Sequence, residues 1–564
     1  MRAAEHFDAD VIVVGAGPVG LTIANTLGMH GVRVLLLEKG DALIDYPRAI
    51  GIDDESLRSI QAIGLADAVA PHLTPNHWMR FVTASGRVFA SLEPKTDDFG
   101  WSRRNAFNQP AVDAELLEGL KRFNNAEVRM SCELLGFQQD DECVTLQVMQ
   151  SGAEKTLRCR YLVASDGGRS VIRNALGVVF GGFTDTSRWL VIDIRNDPLG
   201  VPNIYMHSDP KRPYVSGALP DGVRRFEFMI FEGETEEQIT APARLAELLS
   251  KVLPAGTDLS KLDFIRKRVY THNARIADRW KVGRVMLAGD AAHIMPVWQG
   301  QGYNTGMRDA TNLAWKLAYV VKGKASDTLL ETYQSERPGH AKAMIDLSVT
   351  AGRLFSPRNA LVVALRDFTT WVLNAIPPIK RYFMEMRFKP MPFYENGLVV
   401  HEKIRRKNSP VGRMFIQPMV RTRAGEIKLM DEVLGSGFTL LAWGADPNYW
   451  LTPRSHAILK ALDAKIVTAK PVVQIQRTVD MTDNTEVIGD EQFRLKEWFG
   501  QHPGSIVVLR PDRFVAGITY PVEVNELLEA VAGKMGLKVE TVIPAGSRQP
   551  GSLQVAPALI GDAA

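Results

Sequence analysis

Aliphatic residues form two unbroken runs near the start of the chain, Val11–Val14 and Val34–Leu37, with no polar alternation. Such short apolar runs suit strands covered on both faces, as in a parallel sheet. Between them stand a glycine-rich loop and a stretch, Leu21–His30, that predicts a helix stopped at Gly31. Strand Asp10–Val14, this helix and strand Val32–Glu38 make a βαβ unit of about thirty residues.

The pattern then changes. A helix is predicted at Asp54–Ile63 with Gly64 as its stop, and alternation at Phe81, Thr83, Val88 and Ala90 predicts a hairpin between 78 and 95. A helix at Pro110–Phe123 precedes strands at 127–131, 134–138, 143–149 and 156–164. Residues 180–275 read as β-rich, with runs at Trp189–Ile194, Asn203–His207, Tyr214–Leu219 and Arg225–Phe231. From Asn304 to Val321, Met307, Ala310, Leu313, Ala314, Leu317 and Val321 recur at helical spacing. Further helices are expected over 325–390. A second α/β unit over 405–540 has strands at Thr439–Trp443, Ala464–Thr468 and Ser505–Arg510 and a closing helix, Val522–Met535.

This order predicts an α/β fold: a Rossmann-like dinucleotide-binding domain in three parts, 1–77, 105–180 and 276–400, the last including connecting helices. A β-sheet domain made from a 78–104 hairpin and residues 181–275 is inserted into it. The 405–540 unit follows, then a Gly/Pro/Ala-rich tail, 541–564, expected to be loosely ordered.

A length of 564 residues calls for more than one core, and 45% hydrophobic with 23% charged residues is ordinary for a soluble globular protein. A net charge of +3 makes no case for nucleic acid or an anionic membrane as partner. Cys132, Cys143 and Cys159 fit neither a disulfide framework nor a zinc spacing, so no metal site is expected and buried thiols in a reducing compartment are. The polar opening Met1–Ala9 predicts no secretory leader. Arg366, Asp367, Pro377 and Pro378 interrupt the apolar run Leu361–Ile379 and argue against a membrane span. A cytoplasmic location is expected.

The chemistry starts at Gly15-Ala16-Gly17-Pro18-Val19-Gly20, after the first strand and opening a helix. Glycines let the backbone approach a pyrophosphate, and the helix N-terminus favours its charge. Glu38, ending the second strand, suits the adenosine ribose hydroxyls and would repel a 2′-phosphate. These features leave FAD and NAD both open. Asp290, in Leu287-Ala288-Gly289-Asp290-Ala291-Ala292-His293, turns the reading toward FAD, because an acid at a strand end beside a helix start suits a ribityl hydroxyl. Arg48 could offer its fork to phosphate oxygens, and Gln109, opening a helix, could reach the flavin side. Taken singly, each of these two is more often a solvated or structural residue. The loop Pro296–Asn304, taken alone, reads first as an ordinary Gly-rich helix entry; if that helix start points at the flavin, its N-terminal dipole would favour an anionic reduced flavin.

Together with Ser165-Asp166-Gly167-Gly168 and Asp309-Ala-Thr-Asn-Leu-Ala-Trp-Lys-Leu-Ala, these motifs closely resemble the flavin-dependent aromatic hydroxylases of the para-hydroxybenzoate hydroxylase type. The resemblance covers residues 10–350. The 405–540 unit resembles the thioredoxin-like C-terminal domain of the phenol-hydroxylase-like members; it holds no cysteine, so packing or homodimer contacts are expected of it, not redox work. Asp45–Glu55, Arg103–Phe107, Arg224–Met229, Tyr270–Arg275 and His293–Gly302 are similar to the branch that hydroxylates 3-(3-hydroxyphenyl)propionate and 3-hydroxycinnamate.

The resemblance implies FAD as cofactor, held by Val14, Gly15, Ala16, Gly17, Pro18, Val19, Gly20, Glu38, Lys39, Arg48, Gln109, Asp166, Gly289, Asp290, Ala291, Ala292, Gly302 and Asn304. It implies NADH as a transient co-substrate, with Asp166 serving both flavin and nicotinamide, and O2, delivered from a flavin C4a-hydroperoxide ortho to the phenol hydroxyl. The flavin would swing between an exposed position for hydride uptake and a buried one for oxygenation. The substrate is then a small aromatic phenolic acid. For the catalytic set the resemblance points to Arg225, Glu227, Pro296 and Trp298, the last as a pocket wall. An acid that the phenol-hydroxylase branch places near the substrate is replaced here by Ile50. Arg225 and Glu227 share a strand face; Arg225 is a candidate for flavin or substrate contact and Glu227 for the phenol hydroxyl. A solvent-facing charged strand is the competing reading. Tyr205 and His207 are weaker candidates, and His272 and His293 read as structural hydrogen-bonders. Rival functions are hydroxylation of another phenol or resorcinol, and a flavin- or ligand-binding relative that does not hydroxylate.

Overall fold

A computed structural model describes residues 7–404, 408–476 and 481–539; the predicted tail lies outside them. The strand Ala9–Val14 is buried along its length and sits at the centre of an eight-stranded sheet. It pairs in parallel with Val34–Leu37 on one side and Ala153–Ala164 on the other. Val285–Leu287 adds in parallel beyond Ala153–Ala164, and Ala126–Arg129 beyond Val34–Leu37. The hairpin Cys132–Gln139/Val144–Gln150 extends from the long strand. All three cysteines are buried and free.

A second eight-stranded sheet holds Phe180–Ile194, Ile204–Ser208, Tyr214–Ala218, Arg224–Ile230 and Phe264–Ala277, and the hairpin Met79–Thr83/Val88–Leu92 joins it next to Ile204–Ser208. Its two faces differ. Phe226, Phe228 and Ile230 pack under the helices Glu236–Thr240 and Pro242–Ser250. Trp189, Met229, Val215, Met206 and Phe81 face the other way, toward Trp298 and Phe355.

The C-terminal unit is a seven-stranded sheet in which Thr439–Trp443, Lys465–Pro471 and Thr485–Asp490 run parallel and the hairpin Ile506–Leu509/Val515–Thr519 runs antiparallel, the thioredoxin-like arrangement. Two buried ion-pair sets fasten it to the first domain. Arg510 grips Glu336 through two bonds of 2.8 Å, with Lys316 Nζ 2.7 Å from the same carboxylate. Arg58 donates to both oxygens of Asp431 at 2.7 and 2.9 Å. Breaking such a buried pair from one side costs about 3–5 kcal/mol.

Two helix starts lie a little earlier than the periodicity predicts, and the closing helix starts later, at Val524 rather than Val522. The first helix spans Pro18–Met29, with proline in its first turn, and the later one spans Gly302–Val321. Proline at a helix start gives up no intrahelical bond, so apolar periodicity alone places the start too late. Among the described residues no helix is long and apolar enough to cross a membrane.

Candidate active site

The glycine loop is forced by contacts of the backbone. Gly15 has φ +106°, and a Cβ there would drive into the carbonyl oxygen of Ser165; a Cβ on Gly20 would strike the carbonyl of Gly15. Above Gly17 nothing lies within 4 Å, so that face of the loop is open to a ligand. Glu38 closes the loop from below: Ala16 N–H donates to its Oε2 at 2.8 Å and Gly40 N–H to its Oε1 at 2.9 Å. Each oxygen keeps a lone pair for a ribose hydroxyl. Lys39 beside it is exposed.

The Gly289-Asp290 turn packs on this loop. Gly289 has φ +60°, and a Cβ there would lie 2.8 Å from Val19. Asp309 holds the turn, accepting from Gly289 N–H at 3.1 Å, with His293 Nε2 at 2.7 Å and Arg337 Nε at 2.9 Å. Burial pushes the Asp309 carboxyl up, but His293 and Arg337 outweigh that and keep it low. His293 is thus a structural hydrogen-bonder. Asp309 opens the Asp309–Ala318 motif, and its role depends on Arg337 and His293 folded around it. Ala291 and Ala292 behind the turn are buried.

Arg48 and Asp290, candidates far apart in sequence, meet at 3.0 Å. The turn carrying Arg48 is clamped from two sides. Gln109 Oε1 accepts from the N–H groups of Arg48 and Ala49 at 3.1 and 2.7 Å. From the second sheet, Arg225 donates to the carbonyls of Pro47 and, at 3.1 Å, Arg48. The Gln109 and Arg225 side chains therefore act on the turn, with Arg225 also fixed to Asp193 at 2.7 and 2.9 Å. Gln109 Nε2 donates to Asp113 at 3.0 Å, and burial lifts the Asp113 carboxyl to about 7, against the opposing pull of Gln109 and Arg48.

The helix beginning at Gly302 enters without a side-chain cap, leaving its first amides for a bound group. The Asn304 side chain is spent elsewhere: its Oδ1 accepts from Asp53 N–H at 3.0 Å and Ser56 Oγ at 2.8 Å, and its Nδ2 donates to the Gly51 and Gly300 carbonyls. Only its backbone remains for a cofactor. Asp53, Asp54 and Glu55 cluster closely enough to suggest a metal site. They are instead committed to cations: Arg308 and Lys389 bind Asp53 and Glu55, and Arg103 binds Asp54 at 3.3 Å. Burial raises the Asp54 carboxyl to about 6, and its two acidic neighbours add to that.

The side of the second sheet that faces Trp298 and Phe355 is a set of cross-strand rows. Glu227 lies opposite Val191 on one neighbouring strand and Val215 on the other. It is 7% exposed and Arg225 2%, which excludes a solvent-facing charged strand. Tyr270 Oη donates to Glu227 Oε2 at 2.8 Å, and Arg225 Nη1 lies 3.8 Å from Oε1. Burial raises the Glu227 carboxyl, while Arg225 and Tyr270 pull the other way. His272 Nε2 lies 3.4 Å from Tyr270 Oη, and the contact of Tyr270 with Glu227 depends on the register of two strands far apart in sequence.

Trp298 packs edge-on to Trp189 at 5.0 Å and to His272 at 4.9 Å, and touches Phe355 at 5.0 Å. A Cβ on Gly352 would collide with its indole, so that glycine makes the room. Pro296 is buried at the start of the same loop. Ile50 packs on this aromatic cluster. Tyr205 and His207 point to the opposite face, where His207 stacks on Tyr214 at 4.1 Å, away from Glu227 and Trp298.

An anion-accepting glycine loop, an uncapped helix start, and the buried Asp166 Oδ1 with no hydrogen-bond partner fit FAD. Burial raises the Asp166 carboxyl, opposed by Ser170 and the amides of the following turn.

Comparisons with known proteins agree. Residues 8–348 match the family model of the FAD binding domain, and 412–534 that of the HcaD C-terminal domain. The 3-(3-hydroxy-phenyl)propionate/3-hydroxycinnamic acid hydroxylase of Comamonas testosteroni is 51% identical, covering 94% of this chain and 97% of its own. The protein of that name from Klebsiella pneumoniae (strain 342) is 55% identical, covering 95% and 96%. In fold, the chain resembles aklavinone-11 hydroxylase in complex with FAD and aklavinone, with a TM-score of 0.75 at 24% identity over 93% of this chain and 99% of that one. The chain is an FAD-dependent aromatic hydroxylase and belongs to the family of the 3-(3-hydroxyphenyl)propionate/3-hydroxycinnamic acid hydroxylases.

Proposed function

We propose that the chain hydroxylates 3-(3-hydroxyphenyl)propionate, and 3-hydroxycinnamate, at the ring carbon ortho to the phenol hydroxyl, using NADH and O2. The names of the near relatives support this substrate. The observation in this chain that carries it is Glu227, a buried acid set between Val191 and Val215. FAD bound at the glycine loop would take electrons from the nicotinamide and activate dioxygen.

The protein's own groups prepare the ring. Glu227 accepts the phenol O–H and takes its proton; its raised pKa makes it a better base than an exposed carboxylate. Loss of that proton enriches the ring at the ortho carbon. Arg225, 3.8 Å away, stabilises the ionised carboxylate before the phenol arrives. Trp189, Trp298 and Phe355 form a dry wall around the ring. The amides at the Gly302 helix start favour negative charge on the reduced cofactor.

The test is stoichiometric. Addition of 3-(3-hydroxyphenyl)propionate should stimulate NADH oxidation and yield the 2,3-dihydroxy acid, close to one per NADH. NADH oxidation that ignores the phenol and ends in hydrogen peroxide alone would contradict the proposal.

A further inference from the structure

At the apolar end of the substrate-facing sheet stands a cation that, among the described residues, makes no ion pair. Phe231 follows the strand Arg224–Ile230 in the same alternation as Arg225, Glu227 and Met229, and packs on the Trp189–Trp298–Phe355 cluster. Two guanidinium groups lie over its ring, Arg212 at 4.2 Å and Arg358 at 5.2 Å. Arg212 is committed to Glu234 through bonds of 3.0 and 2.6 Å. Arg366, over the Phe89 ring of the same cluster, pairs with Asp367 at 2.8 Å. Arg358 is exposed, and among the described residues no acid pairs with it.

We propose that Arg358 is a specificity-determining residue that receives the carboxylate of the aryl-alkanoic acid substrate. This assignment rests on the functional reading above, in which Glu227 meets the phenol at the other end. Along the strand, Glu227 and Phe231 are four residues apart, about 13 Å at the usual rise. That spacing accommodates an aromatic ring with a two-carbon arm and one hydrogen bond at each end. The intervening apolar side chains suit the ring and the methylene groups. Phe231 supports the flat side of the guanidinium by a cation–π contact and leaves its N–H edge for a carboxylate, which matches that fork in a bidentate pair.

The experiment compares an acid with a neutral phenol. For Arg358→Gln, KM for 3-(3-hydroxyphenyl)propionate should rise on the order of 10-fold or more, with kcat and bound FAD nearly unchanged. KM for 3-ethylphenol, which has no carboxylate, should not move, and Arg358→Lys should recover part of the loss. An unchanged KM for the acid, or equal losses on both phenols, would overturn the assignment while leaving the functional reading intact. If the unaltered protein does not turn over the acid at all, the functional reading falls and the Arg358 assignment falls with it.

Discussion

The cofactor cradle and the substrate face are built by opposite means. In the cradle the decisive feature is missing side chains: Gly15, Gly20 and Gly289 stand where a Cβ would strike neighbouring atoms. On the substrate face the decisive feature is paired side chains from distant strands, with Glu227 bonded to Tyr270 and Arg225 to Asp193. The two meet at the Pro47–Ala49 turn, whose N–H groups go to Gln109 in the cradle and whose carbonyls go to Arg225 in the sheet. A cradle made of backbone tolerates little change at few positions. A face made of side chains can be retuned for a new ring one residue at a time.

The sharpest break of this contrast is Gly15→Ala. A Cβ there collides with the Ser165 carbonyl at a positive φ, so the variant should purify with essentially no flavin, read from its visible absorption. Arg225→Met comes next. It leaves Asp193 buried without its principal partner, at a cost of about 3–5 kcal/mol in chemical denaturation, and should weaken FAD binding by freeing the turn. If flavin affinity survives that loss of stability, the two regions are less joined than the turn implies.

Asp113 gives a pH-dependent test of the Gln109 side of the clamp. Its folded pKa, raised by burial to about 7, lies above the unfolded value, so its contribution is fully present below about pH 4 and is lost as pH rises through 7. Asp113→Asn should match the unaltered protein in acid and become the more stable of the two by pH 8, by on the order of a few kcal/mol. A stability difference that stays constant across that range would contradict this. The smallest effect is expected of Tyr270→Phe, which removes one hydrogen bond from Glu227 and should slow hydroxylation several-fold, corresponding to about 1 kcal/mol, with FAD content unchanged.

The same contrast explains what the amino-acid order revealed. Glycine spacing after an apolar run identifies the cradle because the chemistry is local backbone geometry, and alternation along Arg224–Ile230 put Arg225 and Glu227 on one face. Neither pattern could say that Arg225 reaches the Pro47 and Arg48 carbonyls, or that Asn304 ties Gly51, Asp53 and Ser56 to a helix 250 residues later. The Asp309–His293–Arg337 hub, the commitment of Asp53, Asp54 and Glu55 to cations, and the Arg510–Glu336 clamp depend on elements brought together only by folding. Charged residues of this kind carry no periodicity, and their burial looks improbable until the partners are seen.

The most direct test of the substrate face is Glu227→Gln, a change that preserves shape while removing the acid. The variant should retain a full complement of FAD and still bind 3-(3-hydroxyphenyl)propionate, while formation of the 2,3-dihydroxy product falls by on the order of 100-fold, within the range general-base removal produces. Product formation at the unaltered rate would contradict the role given to Glu227.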